Sequence, residues 1–147
     1  MGQANATQTF LGDDPGRSAA HIELSDVQGL WGGRRITAGH GKALVRIVGR
    51  GMTERRFEIA LPQAEWDRLL DALVANDFVT IQPEDRMGIP DEGRPRLTLI
   101  NAAAERHTIE KWAGVKDTRF EAVYAAITHL EQLTHGIEPV YSGPYMP

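Results

Sequence analysis

The chain has 147 residues, no cysteine, 41% hydrophobic and 24% charged residues, and a formal net charge of −4. That length and balance describe one globular domain that buries roughly 70% of its unfolded surface without a metal or a disulfide. The lack of cysteine excludes disulfides, thiolate chemistry and cysteine-ligated zinc, and the acidic net charge argues against general nucleic-acid affinity.

Residues 1–19 are polar, with Gly, Asp and Pro and few apolar anchors, and are expected to form a mobile N-terminal arm. They have neither the basic nor the apolar region of a secretory signal, and no run in the chain has the length to span a bilayer. The expectation is therefore a cytoplasmic protein without membrane contact. The Met-Gly start is not a myristoylation signal, because position 6 is Ala.

The α+β domain is expected over residues 20–135. HIELSDVQ, 21–28, alternates Ile22 and Leu24 with polar residues and reads as a strand. After GLWGG comes a short strand, RRIT. AGHGKA then places His40 in a glycine turn before KALVRIVGR, 42–50. On that strand Ala43, Val45 and Ile47 share one face, while Lys42, Arg46 and Arg50 share the other. TERRFEIAL, 53–61, puts Phe57, Ile59 and Leu61 opposite Arg56 and Glu58, so the two strands form a hairpin around GRGMT. Pro62 starts a helix that carries Trp66, Leu69, Leu70, Leu73 and Val74 at helical spacing and ends at Asn76-Asp77. RMGIPDEGRP, 86–95, is a loop.

A second hairpin follows over 96–113, with Leu97 and Leu99 facing in and NAAAE as its turn. Asp117 or Thr118 caps the last helix, and Thr118 with Glu121 fits a capping box. Phe120, Val123, Tyr124, Ile127, Leu130 and Leu133 form its apolar stripe, and His135-Gly136 stops it. The tail, 136–147, is rich in Pro and Tyr and is expected to form no regular element, with Tyr141 and Tyr145 packing it on the body. This order predicts a single α+β domain: an antiparallel sheet of about five or six strands, covered on one face by two helices and wet on the other.

GLWGG, the glycine-bounded hairpin, the proline-started helix with Trp66, the NDF close and RHTIEKWAGVKDTRFEAVYAAITHL resemble a bacterial family of small uncharacterised proteins. The resemblance covers about residues 22–134. It implies an α+β fold and no known activity, and it assigns no catalytic residue.

Few motifs point to chemistry. Gly39-His40-Gly41-Lys42 lacks the length and the Ser/Thr of a phosphate loop and leads into a strand. His21, His40, His107, His129 and His135 show no ligand spacing, so no metal or cofactor is expected. Asp91 and Glu92 lie in a Gly/Pro loop beside Arg94 and Arg96, where salt bridging is a better reading than acid–base catalysis. None of Ser18, Ser25 and Ser142 sits in a nucleophile elbow, so no catalytic residue is assigned.

Charge placement is the best functional signal. Residues 34–56 hold Arg34, Arg35, Lys42, Arg46, Arg50, Arg55 and Arg56 against Glu54 alone, and the following segment, 63–93, is acidic. In GLWGGRR, Trp31 and the arginines could meet a partner; more economically, the glycines bend the chain while Trp31 folds back onto the core. The expected binding residues are Trp31, Arg34, Arg35, Lys42, Arg46, Arg50 and Arg56. They predict a small non-enzymatic protein-binding or regulatory module that uses a basic sheet face against an acidic protein surface. The alternatives are a nucleic-acid or polyanion binder through the same hairpin, which the lack of base-stacking aromatics on this face weakens, and an enzyme with a site not visible in the sequence, which a deep pocket lined by His107, Asp91 or Glu92 would revive.

Overall fold

The computed structural model describes residues 3–147. Its centre is one antiparallel sheet of seven strands: β1 His21–Gln28, β2 Gly32–Gly39, β3 Lys42–Val48, β4 Thr53–Ala60, β5 Arg96–Ile100, β6 Arg106–Glu110 and β7 Tyr141–Pro144. Their spatial order is β6-β5-β1-β2-β3-β4-β7. The four helices are α1 Ala6–Leu11, α2 Asp14–Ser18, α3 Gln63–Ala75 and α4 Thr118–Thr128. The fold is thus α+β, with one strand more and two helices more than the sequence suggests.

The core follows from alternation. Ile22 and Leu24 of β1, Ile36 and Ala38 of β2, Ala43 and Val45 of β3, Phe57 and Ile59 of β4, and Leu97 and Leu99 of β5 all point to one side. There they meet Trp66, Leu69, Leu70 and Leu73 of α3 and Phe120, Val123 and Ile127 of α4. Asp117, not Thr118, caps α4, accepting a hydrogen bond from the Phe120 N–H at 2.9 Å. The stripe expected to run on to Leu133 tightens into a 3₁₀ helix over His129–Thr134.

Two segments depart from expectation. The N-terminal residues form α1 and α2. Asn5 caps α1 in a reciprocal capping box with Gln8, and Asp13 caps α2. Leu11 is 2% exposed, and Thr7 donates its hydroxyl and its N–H to the Asp77 side chain at 2.8 and 3.0 Å. This segment is part of the packed body. The Pro/Tyr tail supplies β7, which pairs with β4 from Thr53↔Pro144 to Arg56↔Tyr141. A segment with a glycine and a proline serves as an edge strand because an edge needs ladder bonds on one side only.

Candidate functional site

The helices and the core lie against one face of the sheet, and among the described residues no helix covers the other. The strand registers align Glu110, Arg96, Ser25, Arg35, Arg46, Arg56 and Tyr141 in one row across all seven strands of this open face. Four of the seven are arginines. The same registers place Lys42 and Arg106 on this face, together with Glu23, Glu54 and Glu58. Six cations therefore stand against four carboxylates here, in a chain whose net charge is −4.

The row is not uniform. Glu54 is 1% exposed and takes hydrogen bonds from both Arg46 and Arg56, with nitrogen–oxygen distances from 2.6 to 3.3 Å. The Arg46 bond, with help from Arg56, outweighs burial and lowers the Glu54 carboxyl to about 2. Arg35 and Arg96 differ: among the described residues neither has a carboxylate within 4.0 Å. Glu110 stands opposite Arg96 in the ladder but binds Arg94 instead, at 3.1 Å.

The tail returns over one end of this row. Arg46 lies 5.3 Å from the Tyr145 ring centre and donates to the Met146 carbonyl, while the Met146 N–H reaches Glu54. The Tyr145 hydroxyl takes a bond from Arg35 at 3.4 Å, and Arg56 lies 4.9 Å from the Tyr141 ring centre. Aromatic groups are therefore present on the face, contrary to the reading from the hairpin alone. They arrive from the distant tail, and each ring is already met by an arginine.

Two hollows open on this face. One, of ≈ 110 Å³, is lined by Arg35, Arg46, Arg96, Glu23, Ser25, Thr37 and Thr98, with Leu44 and Leu24. The other, of ≈ 460 Å³, lies towards His21, Lys42 and Glu58. Burial, then the neighbouring His40, lowers the pKa of His21, whose ring centre is 4.3 Å from that of His40.

Of the expected binding residues, Arg35, Lys42, Arg46 and Arg56 reach the open face. Arg34 does not. It alternates onto the helix side, where it binds Glu131 at 2.5 Å and the Tyr124 hydroxyl at 2.9 Å. That hydroxyl donates to Asp26 at 2.5 Å; burial, then this bond, raises Tyr124 to about 12. Arg50 lies in the β3–β4 turn with its guanidinium 4.6 Å from the Trp31 ring centre. Trp31 is 57% exposed and does not fold onto the core. The glycines beside it are structural: Gly32 and Gly33 have φ of 79° and 144°, and a Cβ at either would strike backbone of β3 or β1. The reading of GLWGGRR is thus correct for its glycines and incorrect for its tryptophan.

Arg96 was missed because it sits apart in sequence, in a segment that reads as local salt bridging. Only the β1–β5 pairing brings it to Ser25, one strand from Arg35. Glu92 binds Arg86 at 2.6 Å and not its close sequence neighbours Arg94 and Arg96. The Arg86 bond, with the Gly114 N–H, holds its pKa at about 2. His107 is edge-on to Phe10 and Phe78. Neither His107, Asp91 nor Glu92 lines any of the hollows described. Among the described residues no group of three His, Asp or Glu could hold a metal ion, and no helix is long and apolar enough to cross a membrane.

No protein-family model matches the chain, and no curated protein sequence does, so the functional reading rests on this geometry.

Proposed function

We propose that the protein is a non-enzymatic binding or regulatory module that docks an acidic protein surface on its open sheet face, centred on Arg35 and Arg96. One observation carries this reading: two guanidinium groups stand in the cross-strand row with no carboxylate partner among the described residues, although Arg46 and Arg56 in the same row share one. Arginine without an internal partner is available for bidentate recognition of carboxylate or phosphate on another molecule. The strands that carry the two arginines are already ordered by the ladder, so docking orders side chains and not backbone.

The test is capture from native lysate by the wild-type protein and by the Arg35→Glu/Arg96→Glu double variant, each with and without nuclease. A protein held by the wild type, lost by the variant and indifferent to nuclease supports the reading. Capture that vanishes with nuclease assigns the face to a polyanion, whose affinity should then fall log-linearly with salt. Capture that is equal for both proteins overturns it.

A further inference from the structure

We infer that the hollow between Arg35 and Arg96 is a site for a phosphate monoester group carried by the protein partner. This rests on the reading of the open face as the docking surface and names the group at its centre. The register fixes the arrangement. Arg96, Ser25 and Arg35 are consecutive in one cross-strand row, so the arginine Cα atoms lie roughly 10 Å apart, two strand spacings, with Ser25 midway. Arg35, Ser25 and Arg96 all line the same ≈ 110 Å³ hollow.

The donor set selects the ligand. Two guanidinium forks and one hydroxyl can together serve the three terminal oxygens of a phosphate monoester, whereas a carboxylate offers only two. Two unpaired guanidinium charges match a phosphate near −2. The other charges at the hollow are already engaged. Glu23 pairs with Arg106 at 3.5 Å, and Arg46 is held by Glu54. Thr98 is occupied by Thr108 at 3.0 Å. Ser25 makes no side-chain hydrogen bond among the described residues, and Arg35 has given only one N–H, to Tyr145.

The experiment titrates the full chain with O-phosphoserine and, separately, with inorganic phosphate and glutamate at constant ionic strength, following the arginine Nε–Hε signals by NMR. Saturable O-phosphoserine binding that moves the Arg35 and Arg96 signals, exceeds glutamate at least tenfold and weakens at least tenfold in both Arg35→Gln and Arg96→Gln is the expected result. Arg55→Gln, on the opposite face, should leave it unchanged. Ser25→Asp supplies an internal anion and should abolish it with the fold intact by circular dichroism. Tighter binding of inorganic phosphate than of O-phosphoserine would overturn the monoester assignment in favour of a free anion. No saturable binding, or equal weakening in Arg55→Gln, would overturn the site. Either negative result leaves lysate capture dependent on Arg35 and Arg96 to stand or fall by itself.

Discussion

Arg35 and Arg46 stand directly opposite each other on β2 and β3, yet Glu54 binds Arg46 twice and, among the described residues, no carboxylate binds Arg35. Like charges directly opposite on a sheet destabilise it, and threonine is both neutral and favoured in strands. Arg35→Thr is therefore expected to raise stability by roughly 0.5 kcal/mol while it removes anion binding. Urea unfolding measures the first and the phosphate titration the second. A gain in stability coupled to a loss of binding is the mark of a residue kept for recognition. A substantial loss of stability would show that Arg35 is held for the fold.

Glu54 anchors the other half of the row. Its carboxyl is lowered from 4.5 to about 2 in the folded chain, chiefly by Arg46. The stabilisation is complete above the unfolded value and is lost as the pH falls from about 5 towards 2, because the unfolded chain then takes up the proton first. A change of that size corresponds to roughly 3 kcal/mol. Glu54→Gln should cost about 3 kcal/mol at pH 7 by breaking a buried pair, and should flatten the loss of stability between pH 5 and pH 2. Denaturant titrations at several pH values check both. Equal acid sensitivity in wild type and variant would contradict the assignment. The freed Arg46 and Arg56 should also tighten phosphate binding.

The hairpins and the two long helices were legible because each has a strict period: two along KALVRIV and TERRFEIA, and about three and a half along the Trp66–Leu73 and Phe120–Ile127 stripes. The face of Arg34 was misread because GLWGGRR carries no alternation from which to take a phase. The register of β1, where Asp26 pairs with Arg34, supplies it. Arg96 could not be joined to Arg35 without knowing that β5 lies beside β1, since adjacent residues in a row belong to strands far apart in sequence. The helices α1 and α2 were hidden by polar composition, although Asn5 with Gln8 is a readable cap. What holds that segment down is Leu11 in the core and scattered contacts such as Thr7 with Asp77, Asn101 with the Phe10 carbonyl and Trp66 with the Arg17 carbonyl, which follow no period in the sequence.

That leucine gives a direct test. Leu11 lies in the main core with Phe10 packed against it. Leu11→Ala should cost about 2–4 kcal/mol, the usual range for a buried leucine that leaves a cavity. Thr7→Val removes both the hydroxyl donor to Asp77 and the acceptor for the Val79 N–H, and should cost about 1–2 kcal/mol. Chemical denaturation reads each. Values near zero for both would mean that residues 6–18 detach in solution.

Gly33 pairs with both Val27 and Val48, at the point where β2 passes between its neighbours. Its φ of 144° suits glycine, and an added Cβ would strike the Asp26 carbonyl. Gly33→Ala should therefore cost at least about 2 kcal/mol, as should Gly32→Ala, which strikes the Val48 carbonyl. Gly29, with open space around it, should accept Ala within about 0.5 kcal/mol. Thermal melts of the three variants order them. Equal tolerance at all three would return the glycines to a role in binding.

Tyr145 is where the tail meets the proposed site. It takes one N–H of Arg35 and lies beside the Arg46 guanidinium, so it occupies part of the Arg35 fork without supplying a compensating negative charge. Tyr145→Phe removes only the hydroxyl. At 3.4 Å that bond is long and weak, so the stability change should stay within about 0.5 kcal/mol. The released N–H then becomes available to an incoming oxyanion, and O-phosphoserine affinity should rise about twofold to fivefold, an increment of under 1 kcal/mol. Tyr145→Ala also removes the ring from Arg46, and should add mobility to the Arg46 Nε–Hε signal without changing the Arg96 signal. The NMR titration distinguishes the two effects residue by residue. A fall in affinity for Tyr145→Phe would mean that the hydroxyl orients Arg35 for the anion instead of competing with it.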